Sequence, residues 1–129
     1  MITVVWFKRD LRVTDHAPLH DAARRGPVLP VYLFEPELIA QADSSPRHLG
    51  FILECLAELE ARLAALGSPL QRWQGTAVEV LQALRERLGP FRLSSHEETG
   101  NLASYARDRA VARWCREQGV VWQQWPSGG

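Results

Sequence analysis

The sequence has few of the features that would support a disulfide scaffold, a membrane span or a strongly charged surface. Only two of the 129 residues are cysteine, and 15 Lys and Arg residues balance 15 Asp and Glu residues. Two cysteines among apolar helical residues are typical of a reducing compartment. A formal net charge of zero argues against nonspecific binding to nucleic acid or membrane surfaces. No apolar run is long enough to cross a bilayer and the start lacks a signal-peptide pattern, so we expect a cytoplasmic protein.

Motifs of several common enzyme classes are also missing. The chain contains no G-x-G-x-x-G, no P-loop and no G-x-S-x-G motif. Classical dinucleotide-binding, P-loop and serine-hydrolase functions are therefore disfavoured. The chain contains no C-x-x-C or H-E-x-x-H motif either, so we expect no metal site.

The sequence does contain a regular alternation of strand-like and helix-like segments, and its 46% hydrophobic residues are typical of one globular domain. Four glycines each follow a helical pattern and precede an apolar run, as helix-ending glycines do: Gly26, Gly67, Gly89 and Gly119. The predicted strands are 2–7, 28–34, 69–73, 91–94 and 120–122 or a little beyond, and the predicted helices are 15–25, 46–66, 76–88 and 103–118. This alternation predicts an α/β fold: a Rossmann-like three-layer sandwich with a five-stranded parallel sheet in the order 3-2-1-4-5.

Local signals mark individual helices. Leucine or isoleucine recurs at three- and four-residue steps from Leu49 to Leu66, which predicts one long apolar face on the second helix. Thr76 and Glu79 have the spacing of a capping box at the start of the third helix. Asn101 and Ser104 are the two candidate caps of the fourth helix.

Two polar segments follow the first and fourth predicted strands. Lys8–Arg12 carries three cations and one carboxylate, and His96–Asn101 carries a histidine and two glutamates. In the predicted strand order these segments flank the point where the order reverses, and ligands of such folds bind there, beyond the carboxyl ends of the strands. The alternative is structural: an ion-paired loop in which Asp10 fixes Arg9 or Arg12, and a solvated turn that leads into a helix.

The stretch Val5–Leu19 resembles the opening signature of the DNA photolyase/cryptochrome family, which is close to W-F-R-R-D-L-R-x-x-D-N-x-A-L. Lys8 replaces an arginine of that signature, and His16 replaces an asparagine. Further stretches are similar in the same order along the chain, within Ser45–Gly67 and Tyr105–Gly119. Together these matches cover almost the whole chain.

The resemblance implies that residues 1–125 form an amino-terminal α/β domain, and that 126–129 begin a linker to a helical FAD-binding domain whose sequence is not present here. The implied function is to bind an antenna chromophore in a light-dependent DNA-repair photolyase, whose full-length form splits cyclobutane pyrimidine dimers in damaged DNA. The fragment alone is then not expected to be catalytic. Two alternatives stay open: the same domain of a cryptochrome blue-light photoreceptor, and a generic nucleotide-binding α/β module.

The resemblance also bears on the pigment. Family members bind a reduced folate, a deazaflavin, a flavin or no antenna pigment. In folate-binding members an Asn-Glu pair precedes the Ala-Arg-Asp match, and Ala103 and Ser104 occupy those positions here. A flavin or deazaflavin is therefore favoured over a folate, and an empty pocket is the remaining alternative.

The candidate pigment-binding residues are Arg9, Asp10 and Glu97, with Arg47 reaching the pigment from the long irregular segment after the second strand. Each has a structural alternative. Asp10 could instead pair with Arg12, Glu97 could be an exposed charge, and Arg47 a surface charge at a helix start. The resemblance implies no catalytic residue in this chain.

Two other sets of residues are interpreted as structural. Arg107 and Asp108 match the family, and an ion pair near a helix start explains them equally well. The five tryptophans are expected to pack in the core or at a domain interface, because the family's electron-transfer chain belongs to the helical domain.

Overall fold

The computed structural model describes residues 1–36, 38, 46–98, 100 and 102–126, and for residues 46–48 it describes the backbone alone. The elements are β1 (Ile2–Phe7), α1 (Ala17–Arg25), β2 (Val28–Phe34), α2 (Pro46–Ala65), β3 (Gln71–Gln74), α3 (Ala77–Leu88), β4 (Phe91–His96), α4 (Leu102–Gln118) and β5 (Trp122–Trp125). No described helix combines the length and apolar character that a membrane span requires. Residues 127–129 lie outside the described residues, so the linker there stays a prediction.

The sheet has the predicted order β3-β2-β1-β4-β5, and all of its strand pairs are parallel. The central strand is β1, where Trp6 lies opposite Val31 on one side and Ser95 on the other. The chain leaves β1 toward β2 in one direction and later returns to β4 in the other. The order therefore reverses between β1 and β4, as expected for a ligand site at their carboxyl ends.

Helices cover both faces of this sheet, which confirms the three-layer sandwich. Val4 and Trp6 pack on one face with buried residues of α3 and α4, and Trp114 lies in the same core. Val5 and Phe7 pack on the other face with buried residues of α1 and α2. Side chains alternate along a strand, so β1 contributes to both cores and is apolar except for the buried Thr3.

The ends of three strands differ from the prediction. β3 begins at Gln71 rather than at 69, and β5 begins at Trp122 rather than at 120. β4 continues through His96 rather than ending at Ser94, because its last residues pair with β5 and are buried. Polar serine and histidine look like loop residues in the sequence, but here Ser95 pairs with both β1 and β5, and His96 pairs with β5.

The helix caps are partly as predicted. Thr76 caps α3, since its hydroxyl accepts the Glu79 amide at 3.2 Å. Ser104 is buried and lies inside α4, two residues after its first residue, and Asn101 lies outside the described residues. α1 begins later than predicted, after a His16 cap, because the preceding Asp15 has a left-handed φ of 49°.

Only the middle of the long apolar stripe on α2 is buried. Leu56, Leu59 and Leu63 pack into the core, whereas Leu49 and Leu66 are exposed. A helix of 20 residues is about 30 Å long, and a strand of six or seven residues spans only about 20 Å. The helix therefore extends past the sheet at both ends, and only the middle of the predicted apolar face reaches the core.

Candidate functional site

A cleft lies at the carboxyl ends of β1 and β4, where the two polar segments meet. Its volume is about 190 Å³. It is lined by Lys8, Arg9, Asp10, Arg12, His96, Glu97 and Glu98. Three cations thus face three carboxylates around one histidine. Pockets that enclose a drug-sized ligand are roughly 300–1,000 Å³, so this cleft accommodates a polar group or one end of a larger ligand.

Asp10 is the centre of a buried hydrogen-bonded group that we name the Asp10 cluster: Asp10, His16 and His96. The Lys8 amide donates to Asp10 Oδ1 at 2.8 Å, and His96 Nδ1 donates to Oδ2 at 2.7 Å. His16 Nε2 donates to the same Oδ2. Burial by itself raises the pKa of Asp10, but these hydrogen bonds lower it well below its usual range, so the carboxylate is ionised.

The structural alternative for Asp10 named the wrong partner. The Arg12 guanidinium donates to the carbonyl oxygens of Thr14 and Asp15, each at 3.1 Å, and does not pair with Asp10. The loop instead closes on itself through Arg12 while Asp10 turns inward to the histidines. Asp10 therefore links the segment after β1 with the last residue of β4.

The ligand atoms of the Asp10 cluster lie within 4.8 Å of one another, a separation that also suits a metal ion. The hydrogen bonds favour a different interpretation. The Leu19 amide donates to His16 Nδ1 at 3.1 Å, so Nδ1 holds a lone pair and the ring proton lies on Nε2. A metal on Nε2 needs the proton on Nδ1 instead, where it would meet that amide. The cluster is thus built to share hydrogen bonds around a carboxylate.

A second buried group, named the Arg107 network, comprises Arg107, Glu35, Glu98, Asp108 and Lys8. Arg107 pairs with Glu35 at 2.5 Å, with Asp108 at 2.7 Å and with Glu98, and Lys8 pairs with Asp108 at 2.9 Å. These side chains are at most 13% exposed. The predicted pair of Arg107 and Asp108 exists, but it extends to the ends of β1 and β2 and to the segment after β4.

The buried charges of the Arg107 network alter two pKa values. Burial lowers the pKa of Lys8, although Asp108 opposes this, and burial raises the pKa of Glu35, although Arg107 opposes that. Both cations also lie over the Trp6 ring, with Lys8 Nζ at 4.4 Å and the Arg107 guanidinium carbon at 4.7 Å from its centroid. The floor beneath the cleft is therefore a fixed array of paired charges on an aromatic ring.

The structure brings three of the four candidate binding residues together. Arg9, Asp10 and Glu97 all line the cleft, and Arg9 and Glu97 are exposed. The Arg9 guanidinium lies against Gly100, where an added Cβ would collide with it and with Ser104 and Glu98. The side chain of Arg47 lies outside the described residues, and its role stays a prediction.

Sequence reasoning placed His96 and Glu98 in the polar segment after β4 without selecting them as binding residues, and it missed His16 and Glu35. One signal was available for His16, which departs from the asparagine of the family signature. Another was available for Glu35, which directly follows β2 at the same edge of the sheet. The partner of Glu35 could not be read from the sequence, because Arg107 lies 72 positions away in the chain.

Comparisons with known proteins identify relatives over the whole domain. The family profile described as DNA photolyase matches residues 3–128. The deoxyribodipyrimidine photo-lyase of Vibrio cholerae is 34% identical over 125 residues, which is 92% of this chain and 26% of that protein. The chloroplastic/mitochondrial cryptochrome DASH of Arabidopsis thaliana is 31% identical over 105 residues, or 76% of this chain and 18% of that protein.

Solved structures match the fold closely. An archaeal photolyase from Sulfolobus tokodaii, described with two FAD molecules, has a TM-score of 0.85 at 24% identity and covers 98% of this chain. A bacterial class III photolyase from Agrobacterium tumefaciens has a TM-score of 0.84 at 25% identity and covers 96% of this chain. The chain corresponds to 29% and 25% of those chains, so it spans about a quarter of the relatives it matches.

Proposed function

Because this chain belongs to the DNA photolyase family, we propose that it is the antenna-chromophore-binding domain of a light-dependent, cytoplasmic DNA-repair photolyase. In this proposal a further, FAD-binding domain of the same protein binds damaged DNA and splits the dimers. The domain described here holds a pigment whose excitation energy passes to that FAD.

The observation that supports the proposal is the cleft where β1 and β4 end. An antenna pigment needs a rigid, oriented site and no acid–base catalyst. The Asp10 cluster and the Arg107 network supply that rigidity, since they tie together the ends of β1, β2 and β4 and helix α4. The cleft itself presents exposed polar groups to one edge of a ligand.

The proposed pigment is a flavin or deazaflavin. Ser104, which stands where folate-binding members have a carboxylate, is buried inside α4, and its neighbour Ala103 has no polar side chain. The chain therefore lacks both polar groups of the folate-binding pair. Arg9 and Asp10 are proposed to lie nearest the polar edge of the pigment.

Binding is tested by titrating riboflavin, a deazaflavin and a reduced folate into the purified chain, with absorbance and fluorescence as readouts. We expect flavin or deazaflavin to bind more tightly than folate, and Arg9→Ala to weaken that binding. Arg24→Ala, a change at an exposed arginine of α1 outside the cleft, serves as the matched control. Exposed arginines are usually lost within about 0.5 kcal/mol of stability, so neither variant should unfold. Equal affinity of the parent and Arg9→Ala would contradict the proposed contact, and tighter folate binding would contradict the pigment class.

The assignment of dimer repair to a separate domain is tested with the chain alone. Incubated with FAD and ultraviolet-damaged DNA under blue light, it should repair no dimers, because the charge of this domain is balanced and duplex binding usually needs a basic face. Repair by the isolated chain would contradict the assignment of catalysis to a separate domain.

A further inference from the structure

His16 is held in one neutral form by two hydrogen bonds. Its Nδ1 accepts the Leu19 amide, which caps α1, and its Nε2–H donates to Asp10. A second ring proton on Nδ1 would face the Leu19 amide hydrogen and abolish the cap. The ring is also fully buried, so water cannot solvate that charge. His16 is therefore a fixed donor to Asp10.

His96 differs from His16 in the nitrogen that it leaves available. Its Nδ1–H donates to Asp10, because an ionised carboxylate can only accept. Its Nε2 makes no hydrogen bond with any described residue, and the side chain lines the cleft. A proton can therefore add to Nε2 without breaking a bond, and the imidazolium that forms stays paired with Asp10.

The charges that face His96 are otherwise paired or balanced. The Lys8 ammonium donates to the His96 carbonyl oxygen at 3.2 Å and pairs with Asp108 of α4. The His16 ring from the α1 cap lies 4.7 Å away, edge to face. Glu97 follows in the chain, and the last residue of β5 contributes an uncharged indole and a carbonyl that accepts the Glu97 amide.

The rest of the cleft carries no excess charge of either sign. Its three cations, counting Lys8, are matched by three carboxylates, with Arg9 and Arg12 on one segment and Glu98 on the other. With His96 neutral, the lining is balanced. One proton on His96 gives it a net positive charge, and the exposed guanidinium of Arg9 lies on the same wall.

We infer that His96 is a proton-dependent binding residue, through which the cleft holds the phosphate or pyrophosphate group of its ligand more tightly as the pH falls. The inference rests on the proposed function, since it concerns the same cleft. It adds that the cleft binds the phosphate or pyrophosphate group of the ligand and that low pH favours this binding. Asp10 is the positioning residue: it accepts the Nδ1–H of His96, so the ring is fixed with Nδ1 inward and Nε2 left for the added proton.

The first test needs no ligand. The imidazole resonances of the parent chain are followed by NMR between about pH 5 and pH 8, the range in which histidine side chains change charge. As the pH falls, the His96 ring should gain a second proton before the His16 ring does, and His16 should keep the signature of the Nε2–H tautomer until then. His96→Asn and His16→Asn assign the resonances. A His16 ring that gains a proton before His96, or a His96 ring that does not titrate, would overturn the inference.

The second test compares FAD with riboflavin. The pyrophosphate of FAD stays ionised over this pH range, and riboflavin has no phosphate. FAD should bind about threefold or more tightly at about pH 5.5 than at about pH 8, the effect of one unit charge roughly 6 Å away in a solvated site. Riboflavin affinity should stay constant.

Two variants separate the roles of the histidines. His96→Asn keeps a donor near Nδ1 but cannot be protonated, so the pH response of FAD binding should disappear. His16→Asn keeps the cap of α1, because asparagine caps well, so the pH response should remain. A response that survives in His96→Asn would overturn the inference.

The outcomes also separate this inference from the proposed function. Riboflavin binding without tighter FAD binding at low pH contradicts the inference and leaves the proposed function standing. Binding of neither flavin contradicts the ligand class inferred here, and it contradicts the proposed function as well if the deazaflavin does not bind either.

Discussion

Replacing Arg107 by methionine is expected to destabilise the protein by about 3–5 kcal/mol at neutral pH. In the folded chain this guanidinium pairs with Glu35, Glu98 and Asp108, and its side chain is 11% exposed. Methionine is also long and unbranched, so the substitution removes the charge and the donors without leaving a large cavity. Glu35, Glu98 and Asp108 then lie close together without the guanidinium that pairs with all three of them. Breaking a buried ion network in this way costs more than the intact network contributes.

The pH dependence of this loss follows from Glu35. Burial raises the pKa of Glu35, and Arg107 partly opposes that rise, so the variant should have a still higher Glu35 pKa. A carboxyl whose folded pKa exceeds its unfolded value stabilises the protein at low pH and loses that contribution as the pH rises. The stability difference between parent and variant should therefore be largest near neutral pH and smaller near pH 5.

The assay is urea unfolding followed by circular dichroism, with the slope of the transition as a check that both proteins unfold in the same way. Arg24→Met is the matched control, because its side chain is 77% exposed and such changes usually stay within about 0.5 kcal/mol. A loss below about 1 kcal/mol, the range of surface ion pairs, would refute the argument that these charges are buried and coupled. A loss that does not shrink toward pH 5 would refute the role assigned to Glu35.

Three further predictions concern single residues. Gly100→Ala should cost about 1–3 kcal/mol in urea unfolding, because a Cβ there would collide with Ser104 and Glu98, whose side chains are buried. It should also weaken pigment binding, because the same Cβ displaces the Arg9 guanidinium. Gly50→Ala, with nothing within 4 Å of the new methyl, should be neutral or stabilising. Burial raises the pKa of Cys115 to about 11, so at about pH 8 its side chain should stay a thiol. It should therefore react with iodoacetamide more slowly than the half-buried Cys55, as measured by mass spectrometry of the digest. Equal rates for the two cysteines would contradict the burial of Cys115. Asp10→Asn should be less stable than the parent near neutral pH. The difference in the free energy of unfolding should shrink as the pH falls below about 4, since a carboxylate with a lowered folded pKa stabilises the protein only while it is ionised. A difference that is independent of pH in denaturant titrations would contradict the hydrogen-bonded carboxylate.

The main architecture was predictable because it depends on signals that repeat along the chain. Apolar runs that alternate with helix patterns can only bury their hydrophobic surface as a parallel sheet with helices on both faces. The glycines that end helices and the Thr76 cap are local features, which need no knowledge of distant residues. The signature Val5–Leu19 indicated the family for the same reason, since it is a contiguous pattern.

Predictions failed where a neighbouring element overrides a local preference. Ser95 and His96 are polar and look like loop residues, yet they belong to β4 because β1 and β5 supply hydrogen bonds on either side. The stripe on α2 is continuous in the sequence, but the sheet is too short to cover Leu49 and Leu66. In both cases the length of the neighbouring strands or sheet decides which residues are paired or buried. That length cannot be read from the sequence of the segment itself.

By itself, the sequence determined the order of elements, the family, and the convergence of the segments after β1 and β4. Only the tertiary structure decided which charged groups pair. Asp10 meets His96 across 86 positions, and Arg107 meets Glu35 across 72. Arg12 was an equally acceptable partner for Asp10 on charge and distance along the chain. The choice depends on which side chains are removed from water together, since an ion pair gains little at the surface and must be matched when it is buried.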